Sequence, residues 1–303
     1  VMGQSGISEF SANELNKQLA GKSAYASIGV DSYEHAVNAG GSPKDIETIL
    51  QLVYLNFTAP RFDETDLQNM KNMYVPYFKN MESDPNYIVG REFQKTIYGD
   101  HARRQITSAS QIEAINIPSL QAIHSKLFGY ADDFRFVIVG NVDLNTLKPL
   151  VEKYIGSLPT SKKVEYAVVD DGVRFAEGNV VNDFRTAMQQ PKVSVRLVYT
   201  GDMEYNAKNR LIVDLLSRAL DSRYMISIRE EKGGTYGVSV QGGIDEYPVE
   251  KYMMAIVFDT NEQLADELVE ICDKEIKKIA EEGPLADDVA KSKEFLQKNY
   301  NNV

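Results

Sequence analysis

The chain has 303 residues, 43% of them apolar and 25% charged, which suits about two globular domains and excludes a disordered polypeptide. Lys and Arg number 33 against 44 Asp and Glu; the net charge of −11 disfavours a nucleic-acid binder, which needs a basic face. The lone Cys272 cannot close an internal disulfide or build a thiolate zinc cluster, and its helical surroundings mark it as a small core residue.

Taken in order, Ser11-Ala12-Asn13-Glu14 fits a capping box and predicts a short helix ending near Gly21. Strands are expected over 23–30 and 33–39, closed by Gly40-Gly41. Pro43 opens a helix whose apolar stripe is Ile46, Ile49, Leu50, Val53 and Tyr54, and Pro60 ends it. Further helices are predicted from Asp63, over 87–98, over 107–115 and from Pro118, the last carrying His124. Residues 133–140 read as a buried strand, Asp143 opens another helix, and Gly156-Ser157-Leu158-Pro159 stops it. The polar segment 160–163 looks like an interdomain linker. Strands are then expected over 164–169, 178–181 and 192–199, a helix over 205–220 continuing to Arg229, a strand over 252–258, a long helix over 261–282 and a last one from Pro284. Helix 45–57 with its break at Pro60 has an echo in helix 264–280 with its break at Gly283-Pro284, which suggests two related α+β domains. No run approaches the ~18 apolar residues of a membrane span, and residues 1–6 show no secretory signal.

The stretch 227–238, Ser-Ile-Arg-Glu-Glu-Lys-Gly-Gly-Thr-Tyr-Gly-Val, reads as a last helical turn, a Gly-Gly break and the start of a strand over 235–240. A tight turn there can bring Arg229 and Tyr236 to one edge. Arg is a permanent forked donor and Tyr carries a hydroxyl, and two convergent donors suit a peptide carbonyl or the oxyanion formed from it. The same residues also fit an ordinary helix end, with Arg favoured by the dipole and Tyr packed with its tip in water. Spacing alone leaves both readings open.

The string 228–238 closely resembles a hallmark of the pitrilysin/insulinase family of zinc metallopeptidases, the inverzincins. In that family the hallmark lies in the second, non-catalytic half, where the matching Arg and Tyr hold the substrate backbone against the zinc site of the other half. The resemblance covers nearly the whole chain: 133–142 and the following helix to Pro159 look like the end of one domain, and 205–240 like the middle of the next. It implies an α+β fold of two related αβ sandwich domains, each an antiparallel-rich sheet covered by helices. One is an incomplete domain over 1–159, truncated at its N-terminus; the other, over 164–303, carries the Arg/Tyr motif. It implies substrate-binding roles for Arg229 and Tyr236, with no catalytic residue and no metal ligand in this chain. Zinc would belong to the full-length enzyme or a partner half, and the catalytic half to the same polypeptide or a partner subunit. The substrate would be a peptide. Bacterial relatives of this type suggest a periplasmic or cell-envelope location.

The residues themselves give no metal motif. The family's His-x-x-Glu-His is absent, and His35, His101 and His124 include no pair four apart on one helix. The family's third ligand aligns near Asn69-Met70-Lys71, where no carboxylate stands, although Asp66 is one turn away. Tyr74, Tyr77 and Tyr87 are read as half-buried core residues, with a peptide groove as the other possibility. Two rival functions follow from the same resemblance: a non-peptidase assembly or binding subunit, and an active half without its zinc helix.

Overall fold

In the computed structural model, which describes residues 5–161 and 168–301, the chain forms two compact units that divide after Val168. The expected linker over 160–163 and the strand expected over 164–169 fall largely outside the described residues. Two antiparallel sheets and their covering helices make the fold α+β.

In the first unit the Ser11 hydroxyl accepts the N–H of Glu14, whose carboxylate accepts the N–H of Ser11, and this reciprocal cap starts α1 (Ala12–Gln18). Strands β1 (Ala24–Val30) and β2 (His35–Gly41) then pair antiparallel from Ala24↔Gly41 to Val30↔His35. At Gly41, with φ of 153°, a Cβ would stand 1.9 Å from the Ser23 carbonyl oxygen, so only glycine fits at the end of β2 that lies beside the start of β1. A short 3₁₀ turn, Pro43–Asp45, leads into α2 (Ile46–Thr58), which buries Ile49, Leu50, Val53 and Phe57. Then come α3 (Glu64–Met81), α4 (Pro85–Tyr98), α5 (Ala109–Ala114), α6 (Ile117–Phe128) and α7 (Leu144–Tyr154). Asp63, Asp84, Ser108, Asn116 and Asp143 cap these five in turn, each accepting backbone N–H groups of the first turn.

The strand expected over 133–140 is not formed. Among the described residues its backbone hydrogen bond is from Phe134 N–H to the Ala131 carbonyl, and no described strand pairs with it. The apolar run fits a strand, but a strand needs a neighbour for its backbone groups. Phe134 still packs on Phe57, with ring centres 4.8 Å apart, while Val137 and Val139 are exposed. The strand expected over 178–181 likewise has no strand partner among the described residues, and Val180 and Val181 face solvent.

In the second unit the elements are β3 (Val193–Asp202), α8 (Ala207–Tyr224), β4 (Val238–Asp245), β5 (Lys251–Thr260), α9 (Ala265–Glu282) and α10 (Ala286–Asn301). The sheet order is β3-β5-β4, antiparallel throughout, with β5 central and paired along its whole length with β3. Leu220, Tyr224 and Ile228 from the α8 side meet Ile256 and Phe258 of β5 and Leu268 and Cys272 of α9. All seven are essentially inaccessible to solvent, and each aliphatic side chain removed from water there contributes about 2 kcal/mol. Cys272 is the small core residue its sequence setting suggested: burial pushes its thiol up to about 12, far from a reactive thiolate. The two units share one order of elements, an antiparallel hairpin followed by a helix, a short break and a second helix, in keeping with the internal echo.

Candidate functional site

The helix that delivers Arg229 does not simply run on. After α8 the chain widens into a π-helical turn over Met225–Glu230, in which the Glu231 N–H reaches the Ile226 carbonyl at 3.0 Å. The turn puts Ile228 fully into the core and Arg229 at the surface. Gly233 then takes φ of +59°, a conformation costly to any residue with a Cβ, and its N–H bonds the Arg229 carbonyl at 3.0 Å. Gly234 follows, buried, and the chain turns toward β4.

β4 begins at Val238, three residues later than expected. Thr235 and Tyr236 therefore lie in the connection and not in the strand. The reason is local: Thr235 Oγ1 accepts the Gly237 N–H at 3.3 Å and donates to the Gly237 carbonyl at 3.0 Å, a side-chain bond that competes with the ladder. Tyr236 at the crest of this bend is fully exposed.

The hinge is held from below. The Thr260 hydroxyl, at the end of β5, donates to the buried Gly234 carbonyl at 2.6 Å. The Lys232 ammonium donates to Glu267 of α9 at 2.5 Å, and this partner raises the lysine pKa. Neither anchor was legible in the sequence, because each partner lies about 30 positions away on an element whose register cannot be read locally. The Arg229 guanidinium has one contact among the described residues, Nη1 to the Met225 thioether at 3.5 Å, and no carboxylate partner despite the adjacent Glu230 and Glu231. Thioether sulfur is a weak acceptor. The Tyr236 hydroxyl has no partner among the described residues. Two donors thus stand unspent at the surface on either side of an anchored turn.

The histidines serve structure. His124 is buried, and its Nε2 donates to the Asn56 carbonyl at 2.8 Å. That carbonyl is four residues before Pro60, which has no N–H to complete α2, so the imidazole supplies the missing donor. His35 packs edge-on against Phe128 and Phe134, at 5.2 and 5.1 Å. His101 Nδ1 accepts the Arg103 N–H at 3.3 Å and caps a 3₁₀ turn. Met70 of α3 is buried, and Lys71 reaches the Glu113 carbonyl at 2.7 Å. Among the described residues no group of three or more His, Cys, Asp or Glu could hold a metal ion, so the described residues do not fit zinc. Tyr87 is buried and donates to the Thr107 carbonyl at 3.0 Å, with its pKa raised by that burial, whereas Tyr77 is exposed and Tyr74 partly so. No described helix is long and apolar enough to cross a membrane.

Comparison with known proteins gives this geometry a context. A family model described as the peptidase M16 inactive domain matches residues 114–296. The chain is 19% identical over 295 residues to the probable zinc protease PqqL of Haemophilus influenzae, covering 93% of this chain and 31% of that one. Its fold is similar to the crystal structure of the periplasmic protease PqqL from Escherichia coli, with a TM-score of 0.88 at 21% identity over 99% of this chain and 33% of that one. It is also similar in fold to the first half of the same protease, with a TM-score of 0.65 at 12% identity over 99% of this chain and 66% of that half. The chain thus spans about a third of the length of the relatives it matches.

Proposed function

The chain belongs to the peptidase M16 inactive-domain family, and from that premise we propose that it is the half of a zinc endopeptidase that binds and positions the peptide while another half cuts it. On this reading residues 1–159 and 164–303 are two domains of one fold type, and the zinc named for the relatives is held by the other half, in the same polypeptide or in a partner subunit. The fold likeness to the first half of a relative supports two related halves facing one substrate. A periplasmic location, as described for the E. coli relative, fits the same reading.

The observation that carries the proposal is the pair of unspent donors at the hinge. Acidic neighbours are at hand for Arg229, yet among the described residues its guanidinium meets only the weakly accepting Met225 thioether, and Tyr236 stands clear of the protein with its hydroxyl unpartnered by any described residue. Aimed at a peptide, a guanidinium and a phenol donate to backbone carbonyl oxygens without regard to side chains. Such holding reduces the orientational freedom a bound peptide must lose before reaction, an effect that can supply several kcal/mol. Any donor that meets the scissile carbonyl gains strength as the oxygen becomes an oxyanion. The role is one of positioning; no step through zinc is assigned to these residues.

The test is steady-state kinetics of the full enzyme on a peptide substrate. Arg229→Ala and Tyr236→Phe are each expected to lower kcat/KM by about one to three decades, as when an oxyanion-type donor is removed. Unchanged kinetics in folded variants would refute the positioning role.

A further inference from the structure

The first unit holds two extended runs whose backbones are only partly used. In the hairpin of β1 and β2, the Asp31 N–H donates to the Glu34 carbonyl at 2.7 Å and the Ser42 N–H to the Ser23 carbonyl at 2.8 Å. Facing residues of an antiparallel pair alternate between bonded and non-bonded. With the register Ala24↔Gly41 to Val30↔His35, the even residues of β2 therefore bond to β1. His35, Val37 and Ala39 turn their N–H and carbonyl groups to the opposite edge, where they meet no partner among the described residues. The second run is 133–140, in which residues 135–139 make no backbone hydrogen bond among the described residues.

Both runs line one groove of about 590 Å³, floored by α2. Val37 packs on the cluster of Val53 and Phe57, and Phe134 and Phe136 lie 4.8 and 6.1 Å from the Phe57 ring. Each run thus turns an apolar face to the same helix, as strands of one sheet do. His35 and Phe134 even touch edge-on at 5.1 Å, yet no ladder joins their backbones, which adjacent strands about 4.8 Å apart would form. Phe136, Val137, Ile138 and Val139 are all exposed, Val139 at 91%. A contiguous apolar surface of this kind marks an interaction site. Neither run carries the lysine or proline that protects a solvent-facing edge. Whatever fills the groove must offer backbone donors and acceptors along the seven residues of β2, about 20 Å, and apolar side chains on one face. A β-strand meets both demands.

We propose that the gap between β2 and 133–140 receives a β-strand from the same polypeptide, outside residues 1–303, with its alternate apolar side chains lying on α2. This chain spans about a third of the PqqL relatives, so in them about two thirds of the polypeptide lies beyond the matched stretch and is ample to supply a strand. A resident strand is favoured over a passing peptide because the apolar face would stand in water whenever the groove was empty. The inference does not rest on the role proposed for Arg229 and Tyr236.

The test is hydrogen exchange resolved to single amides, on residues 1–303 and on the full enzyme without substrate. In residues 1–303 the Ala36, Asn38 and Gly40 amides are expected to be protected by β1, and those of His35, Val37 and Ala39 to exchange rapidly. In the full enzyme the odd-numbered three, together with amides of 135–139, are expected to slow by about a hundredfold or more. The full enzyme decides alone if residues 1–303 do not fold: rapid exchange of the odd-numbered amides there would overturn the proposal. So would slowing in residues 1–303 that grows with protein concentration, which would make the occupant a second copy. Slowing in the full enzyme only after a peptide substrate or a separate subunit is added would overturn it too.

Discussion

Gly233 and Gly234 are adjacent, but the structure assigns them different work, and a pair of double-mutant cycles separates the two. At Gly233 φ is +59° and an added Cβ meets nothing within 4 Å, so Gly233→Ala costs backbone strain alone, about 1–2 kcal/mol. At Gly234 an added Cβ would lie 2.9 Å from Leu268 Cδ1 and 3.2 Å from Leu264 Cδ1. Leu268 is fully buried in the core, and the Thr260 hydroxyl fixes the Gly234 carbonyl at 2.6 Å, so neither side retreats freely. Gly234→Ala therefore overpacks the core, at about 1–3 kcal/mol. The single costs overlap; the couplings do not. Combined with Leu268→Val, which shortens the side chain that is struck, Gly234→Ala is expected to show a favourable coupling of about 0.5–3 kcal/mol, while Gly233→Ala with Leu268→Val adds to within about 0.5 kcal/mol. The chain has no tryptophan, so urea unfolding followed by far-ultraviolet circular dichroism is the assay. Coupling at Gly233 with additivity at Gly234 would refute this account of the hinge.

Three other outcomes are expected. His124→Leu leaves the Asn56 carbonyl without a donor and should destabilise the protein by about 1–3 kcal/mol in the same urea assay; unchanged stability of the folded variant would contradict its structural role. The Glu47 carboxylate is held below its ordinary range first by the Tyr154 hydroxyl and then by Lys153, so its contribution is present above that range and lost as the pH falls through the lowered value. The stability gap between the parent and Tyr154→Phe should accordingly be full at neutral pH and shrink on acidification, read from thermal midpoints across the carboxylate range; a gap that widens in acid would reverse the sign. Treating this chain with a chelator should leave its thermal midpoint unchanged, because removal of a metal bound only by the native state would lower it.

The helices were legible because their signals are local. Ser11, Asp63 and Asp143 each cap the helix their position suggested, and of the expected stripe Ile49, Leu50 and Val53 are buried while Ile46 and Tyr54 are half-buried. Strands β1, β2, β3 and β5 were also readable, since each has a partner that its side-chain pattern serves. At 133–140 and 178–181 no described strand pairs with the run: a β-branched, apolar run states a preference, whereas a strand is a relation between two backbones. The late start of β4 has a different origin, a threonine whose hydroxyl takes the backbone groups the ladder would use.

The hinge combines two requirements that usually compete. A positioning group must be free to meet a ligand, yet any freedom it has must be surrendered on binding. Here the freedom is confined to side-chain tips. Ile228 is buried in the core one residue before Arg229, and the buried Gly234 carbonyl accepts from Thr260 two residues before Tyr236, so the backbone is anchored beside both donors. What remains to be ordered is two side chains and not a loop, which keeps the cost to about 0.5–1.5 kcal/mol for each of them. On the proposed positioning role, a guanidinium and a phenol so mounted would hold a peptide backbone with little loss. The same mounting explains why the glycine pair stands between them: the turn must be tight enough to present both donors, and a side chain at Gly234 would strike the leucines that hold it.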